Sequence, residues 1–364
     1  MAKIGRQGEG GGNFSKAGKV QRDDMGNILF CPHCKSTHLI KAGTDGSYGA
    51  PERYKCKSCG KKTVHPIVGK EEFIVENPFT EDEMSTEELL DQRIRAFNYR
   101  EKLDKSQQFL NIKVKDPKPI GIYFQGDPHV DDDGCDLPLL IKHMDIVNKT
   151  EGLFSASVGD LSNNWARRTK LEGLWSKQSS TAQQGWQLVE WLVGYTDYIF
   201  IVAGNHDMWS GHGDPVKWMM KPLKTTYSPH SIRVNLKLPK HEVRINCAHE
   251  FRGNSIYNTS HGIVRHAIFN ARDHILVAGH KHISGYMPMK DAHNGIVMHC
   301  LQVGSYKKYD DYAKELNLPN KMMSPCGVAV INTNLDETHG DFIKVFWEVD
   351  EGADYLTHLR RKTK

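Results

Sequence analysis

From residue 119 onward, short apolar runs alternate with longer amphipathic ones. GIYF (121–124), LFSASV (153–158), YIFIV (198–202), VRINCA (243–248) and HILVA (274–278) are apolar over four to six residues and end in polar loops, which predicts buried strands. Between the first three, LPLLIKHMDIV and WQLVEWLVGY carry apolar residues at helical spacing. After residue 294, GIVMHCLQV, GVAVINT and FIKVFWEV follow as strands without long helices between them. The alternation predicts an α/β domain over residues 119–350 whose second half is richer in strand. No internal repeat is visible.

The chain upstream has a different texture. Residues 1–27 are rich in Gly and poor in large apolar side chains, the composition of a disordered, basic arm. Residues 28–70 form a cysteine-bearing unit. Residues 71–91 contain nine acidic residues and no basic ones, and read as a linker. Ser85-Thr86-Glu87-Glu88 is a capping-box pattern. It opens a helix with Leu90, Ile94 and Phe97 on one face, running to about Leu110, and Pro117 and Pro119 close the 71–118 section. Residues 351–364 read as a basic tail.

Composition adds three constraints. With 38% hydrophobic and 25% charged residues in 364, the chain has the make-up of a soluble globular protein. No apolar run approaches the roughly 20 residues of a membrane span, and the polar N-terminus lacks the apolar segment of a secretory signal. No membrane association is expected, and a cytoplasmic location is. Charge is uneven: residues 1–70 hold thirteen Lys/Arg against five Asp/Glu, a net of +8, in a chain whose total is +4. A basic module of this kind suits a polyanionic partner. Of eight cysteines, four sit in two N-terminal pairs; Cys247 and Cys300 lie in apolar runs as plain core residues.

The polar loops after the strands carry the chemistry. They are Gly126-Asp127-Pro128-His129, Gly159-Asp160, Gly204-Asn205-His206-Asp207, Ala248-His249-Glu250 and Gly279-His280-Lys281-His282. In open α/β sheets functional loops gather at the carboxyl ends of strands, so five such ends can converge on one crevice. Asp, His and Asn without thiolate select metals such as Mn, Fe, Zn or Ni over a closed cysteine site. Asp127 with His129, and His280 with His282, are spaced i, i+2, which in extended backbone projects both side chains to one side.

In this order the five signatures resemble the calcineurin-like metallophosphoesterase family over about residues 119–350. HEFRGNSIYNTSHG and SYKKYDDYAKELNLPN are similar to its phage-borne members, which would place the protein in a host cytoplasm. The resemblance implies a four-layer α/β/β/α sandwich and phosphoester hydrolysis by a hydroxide activated between two divalent transition metals, manganese first among them. It assigns Asp127, His129 and His282 to one metal, Asn205, His249 and His280 to the other, and Asp160 to both. His206 would face the leaving group and Asp207 would orient its imidazole. The second signature departs from the commoner GDxxD form by carrying Asn163, which puts the usual orienting role there in doubt. His274 and His299 match no motif position. Asp131, Asp132 and Asp133 are expected to be solvated.

Cys31-Pro-His-Cys34 and Cys56-Lys-Ser-Cys59 make two C-x-x-C knuckles separated by 21 residues, a spacing that suits one tetrahedral structural zinc in a small ribbon. The ribbon resembles those of transposases and replication proteins. Arg53, Lys55, Lys57, Lys61 and Lys62 frame its second knuckle, with Tyr48 and Tyr54 interleaved, a pattern suited to single-stranded or flexible nucleic acid. Trp165, Arg167 and Arg168, close after Asp160, and Arg252 are candidate substrate contacts. The expected function is a nuclease or nucleic-acid phosphodiesterase. The alternative is a phosphatase or phosphodiesterase for a protein or small nucleotide, its ribbon docking a protein partner. A non-enzymatic protein with a decayed site is disfavoured by the intact ligand set.

Overall fold

The computed structural model describes residues 20–44, 49–69, 84–106, 109–165, 173–210, 213–223, 225–320 and 323–363. The chain forms two compact units, residues 1–92 and 93–364.

In the first unit, β1 (Ile28–Phe30) pairs antiparallel with β5 (Ile67–Gly69), and β2 (Leu39–Lys41), β3 (Tyr54–Cys56) and β4 (Lys62–Thr63) make a second small sheet. Its buried apolar cluster comprises Leu29, Cys31, Leu39, Tyr54 and Cys56. So small a core needs a cross-link or a metal. Helix α1 (Thr86–Ser106) runs across the unit boundary. It begins with the expected capping box: the Ser85 amide donates to the Glu88 carboxylate at 2.8 Å, and the Glu88 amide donates to Ser85 Oγ at 3.2 Å. Leu90, Ile94 and Phe97 are exposed on it.

The second unit continues with β6 (Leu110–Lys113), β7 (Ile120–Gln125), α2 (Leu137–Lys149), β8 (Leu153–Ser157), α3 (Ala182–Tyr195), β9 (Tyr198–Val202), α4 (Pro215–Met220), β10 (Thr226–Ser228), β11 (Ser231–Lys237) and β12 (Glu242–Ala248). Then follow α5 (His261–Phe269), β13 (Ile275–Ala278), β14 (Gly285–Lys290), β15 (Val297–Gln302), α6 (Asp311–Glu315), β16 (Cys326–Ile331), β17 (Ile343–Phe346) and α7 (Val349–Lys362). Two six-stranded sheets result, ordered β10-β9-β8-β7-β16-β17 and β14-β15-β13-β12-β11-β6. Strands β7, β8, β9 and β10 are mutually parallel, as are β12, β13 and β15.

The sheets pack face to face. Ile122, Phe124, Ala156, Phe200 and Val202 of the first meet Val234, Ile245, Cys247, Ile275 and Val277 of the second in one apolar cluster. On the outer side of the first sheet, α2, α3 and α4 bury Leu140, Met144, Val189, Leu192 and Val216. On the outer side of the second, α5 buries Ile263 and Ala267 against Leu276, Met298 and Cys300. The layers therefore run α/β/β/α. Strands covered on both faces read as continuous apolar runs; β11, with inward Ile232, Val234 and Leu236 between polar residues, alternates.

Two expected boundaries shift. Strand β6 joins the second sheet beside β11, so the domain starts before residue 119. The expected basic tail is the helix α7, whose Val349, Ala353 and Leu356 bury against Tyr123, Val328 and Val330. Its Arg360 donates to the Pro119 carbonyl and pairs with Asp116 and Glu151, pinning the helix to the entry of β7. Among the described residues no helix is long and apolar enough to cross a membrane.

Candidate metal centre

Parallel strands place their carboxyl ends side by side, and the five polar loops meet there. Two close groups form: Asp127, His129 and His282, and Asp160, His249 and His280. In the first, His129 Nε2 faces His282 Nε2 at 3.1 Å and Asp127 Oδ2 lies 3.4 Å from His282 Nε2. In the second, His249 Nε2 faces Asn205 Oδ1 at 3.0 Å, His280 Nδ1 at 3.1 Å and Asp160 Oδ2 at 3.2 Å. Asp160 Oδ2 is also 3.9 Å from His129 Nε2, which sets this carboxylate between the groups.

The donor set tests whether a cation fits. His249 Nδ1 donates to the Val158 carbonyl at 2.8 Å, which leaves Nε2 to face Asn205, His280 and Asp160, as a donor when the ring is protonated and as a ligand when it is neutral. Asp127 is fully buried, and its Oδ1 has no hydrogen-bond partner. Such a meeting of carboxylates and imidazole nitrogens calls for positive charge among them, a proton or a metal cation. The electrostatics agree. Burial pushes the Asp127 carboxyl well above its ordinary range, a cost a cation would offset. Burial holds His129 well below its usual value, leaving the ring neutral and able to ligate. Burial opposes charge on His249, but Asp160 pulls its pKa up to about 10; the same crowding that attracts a proton suits a metal. Asp160 is itself held well below the carboxylate range by its histidines, against the effect of burial.

Backbone geometry is consistent with a functional site. Among the described residues, seven non-glycine residues have positive φ, and five of them, His129, Asp160, Asn164, His280 and His282, lie in these loops. Left-handed conformations cost a non-glycine residue free energy and persist where the surroundings impose them. Gly159 and Gly204 make the loops possible: a Cβ on Gly159 would strike the Gly204 backbone, and one on Gly204 would strike Asp160.

His206 lies beside the two groups, its ring 5.0 Å from that of His129. Its Nδ1 donates to the Asn163 carbonyl at 2.8 Å, which leaves Nε2 as the reactive nitrogen. This differs from the pairing implied with Asp207. The Asp207 carboxylate accepts the Gly204 amide at 2.8 Å and the Leu161 amide at 3.0 Å, tying two motif loops together. Burial, and then the charge of Asp160, push it up to about 7.

Other expectations are corrected. Asp131 and Asp132 are buried rather than solvated, because their carboxylates bond the loop around Asn163. Trp165 is buried, 8% exposed, and is not displayed for stacking. Arg167 and Arg168 lie outside the described residues, as does Tyr48; Arg252 is exposed in the loop after His249. Tyr54 belongs to the small N-terminal core and bonds Glu52, so it too is no open stacking surface. The sequence pattern assigns no role to Glu250, whose carboxylate is 3.8 Å from His280 Nε2, or to Trp209, whose ring lies 4.1 Å from that of His206. Trp209 stands three residues after His206, one turn of a short 3-10 helix, and that spacing is its only signal.

In the N-terminal unit all four knuckle cysteines converge. Cys31 Sγ and Cys59 Sγ are 3.7 Å apart, and Cys34 Sγ and Cys56 Sγ 3.5 Å. A tetrahedron of sulfurs at zinc–thiolate bond lengths has edges of about 3.8 Å. The cluster therefore fits one divalent metal.

No protein-family model and no curated protein matches the chain. Solved structures similar to it include a conserved protein of Streptococcus pneumoniae described as a predicted phosphoesterase, at 14% identity over 63% of this chain and 97% of that one, TM-score 0.30. A calcineurin-like phosphoesterase of Bacillus subtilis aligns at 11% identity over 67% and 97%, TM-score 0.31. NAD nucleotidase of Haemophilus influenzae aligns at 9% identity over 63% of this chain and 49% of that one, TM-score 0.35. At such distances what the chain does has to be read from its own side chains.

Proposed function

We propose that the chain hydrolyses phosphoester bonds at a dinuclear divalent-metal centre and that its substrate is nucleic acid. The observation that carries the chemistry is the pair of Asp/His ligand groups with Asp160 between them. Asp127, His129 and His282 would hold one cation, Asn205, His249 and His280 the other, and Asp160 would bridge. Manganese, iron, zinc and nickel all suit nitrogen and oxygen donors. Two such cations supply Lewis-acid activation of water and of the phosphoryl oxygens. The protein supplies position and protons. Buried Asp127 and Asp160 fix the ligand geometry; His206, tautomer set by the Asn163 carbonyl, is aimed to protonate the departing oxygen through Nε2.

The nucleic-acid reading rests on the N-terminal unit, taken to bind zinc. Arg53, Lys55, Lys57, Lys61 and Lys62 are all exposed around its second knuckle. With Tyr54 buried, the surface offers charge rather than rings, which favours contact with phosphates over stacking on bases.

The test is direct. Metal-stripped protein should not turn over bis(p-nitrophenyl) phosphate, and added Mn²⁺ should restore turnover. Asp160→Ala should abolish hydrolysis and lower the metal bound at this centre, because the bridge serves both groups. Full activity in that variant would sink the two-metal reading.

A further inference from the structure

Asn163 has every hydrogen-bonding group engaged. Its amide donates to Asp131 Oδ1 at 2.6 Å, its Nδ2 to Asp132 Oδ2 at 2.8 Å, and its Oδ1 faces Lys307 Nζ at 3.5 Å. The remaining group, its carbonyl, takes the proton of His206 Nδ1. Each of the three anchors is a buried, ionisable side chain, and each is itself held. Asp131 also accepts from Ser162 Oγ at 2.9 Å, and Asp132 from the Gly134 amide at 2.8 Å. Lys307, with 8% of its side chain exposed, lies 2.9 Å from Asp132 and 3.1 Å from Asp310. Although burial opposes its charge, these two carboxylates raise the Lys307 pKa above its ordinary value, so the ammonium is retained.

Buried ion pairs contribute little net stability, because desolvation cancels most of the attraction, and their best-attested use is to specify geometry. Here the geometry they specify is that of one carbonyl. We infer that Lys307, Asp131 and Asp132 act through Asn163 as positioning residues for the His206 imidazole, in place of a carboxylate on the ring itself. This rests on the reading of His206 as the proton donor to the leaving group. The four residues bond one another and the loop around Asn163 and belong to neither ligand group, so metal content should change little when they are replaced.

Asn163→Ala is the sharpest probe, since it keeps the carbonyl and the Asp132–Lys307 pair and removes only the side-chain anchors. In the full-length, metal-loaded chain it should bind metal as the parent does. Its kcat should fall about 10²-fold, the order expected for a misplaced catalytic group, on a diester with an alkoxide leaving group. On a p-nitrophenyl ester, which needs no proton, kcat should stay near the parent value, and KM should be unchanged on both. In a His206→Ala background Asn163→Ala should add nothing. Long-range ¹H–¹⁵N spectra of the zinc-loaded chain should show His206 as the Nδ1–H tautomer in the parent and as a mixture in Asn163→Ala. Lys307→Met should shift both readouts the same way and Lys307→Arg should recover part of them. Equal losses on the two leaving groups, losses that multiply with His206→Ala, or an unchanged tautomer overturn the inference. Should His206→Ala itself treat both leaving groups alike, the proton-donor reading fails instead, and the tautomer signal alone decides the positioning.

Discussion

At the scale of single residues, this centre is built from groups that are poor neighbours without a cation. His249 Nε2 faces Asn205, His280 and Asp160 together, and Asp127 keeps a carboxylate oxygen buried without a donor. His206, like His249, commits Nδ1 to a backbone carbonyl, but it belongs to neither ligand group, and its Nε2 is left for chemistry. His206→Ala should therefore retain metal and lose rate, about 10²–10⁴-fold as for other acid–base groups. The loss should shrink as the leaving group becomes more acidic. Metal analysis with a leaving-group series checks this, and loss of metal would make His206 a ligand. The ligand residues are legible in the sequence because metal binding dictates residue type and spacing after strands. The partners of His206 are not, because a backbone carbonyl has no residue type. Asn163 departs from an expected carboxylate and still orients the ring, through an atom that any amino acid has. Asp131 and Asp132 depart from expectation for a related reason: a run of three aspartates looks solvated until the loop they bond is known.

At the scale of elements, the strands that carry the centre are buried on both faces and so read as uniform apolar runs. YIFIV coincides with β9, and VRINCA with all but the first residue of β12. Strand β6 leaves no such trace, because four residues at a sheet edge gain their identity only from pairing with β11. Helix α7 is hidden by its charges. Acidic Asp350 and Glu351 in its first turn and basic Arg360, Arg361 and Lys362 in its last are what a helix dipole favours, yet the basic end alone suggests a tail. Its apolar positions 349, 353 and 356 are spaced for one face, and that face covers β7 and β16. Leu356 is fully buried there. Leu356→Ala should destabilise the catalytic unit by about 2–5 kcal/mol, the cost of a core cavity. Urea unfolding reports it; a change within about 0.5 kcal/mol, the range of surface substitutions, would return this segment to a dispensable tail.

At the scale of the whole molecule, two kinds of metal site occur in one chain and ask different things of their metals. The oxygen- and nitrogen-rich centre stands on two packed sheets whose core is complete without a cation. The four-cysteine cluster stands in a unit with five buried apolar or cysteine residues among those described, a setting in which metal binding would be coupled to folding. Charge divides within the first unit, since the excess of basic residues lies in residues 1–70 and the acidic residues of 71–91 offset it. On the proposed nucleic-acid reading, a polyanion would be held locally by the exposed basic residues around the second knuckle, and hydrolysis would belong to the other unit. Replacing Lys55, Lys57, Lys61 and Lys62 by Gln in the full-length chain removes four exposed charges and no cysteine. Oligonucleotide affinity should fall, and its dependence on salt should flatten by roughly 0.7–0.9 log units for each phosphate that is no longer neutralised. Turnover of bis(p-nitrophenyl) phosphate, which is too small to need a second binding surface, should be unchanged. Binding measured across a salt series, beside turnover of the small diester, separates the two. An unaltered slope and affinity would remove these lysines from the substrate path and favour a protein or small nucleotide as what the centre hydrolyses.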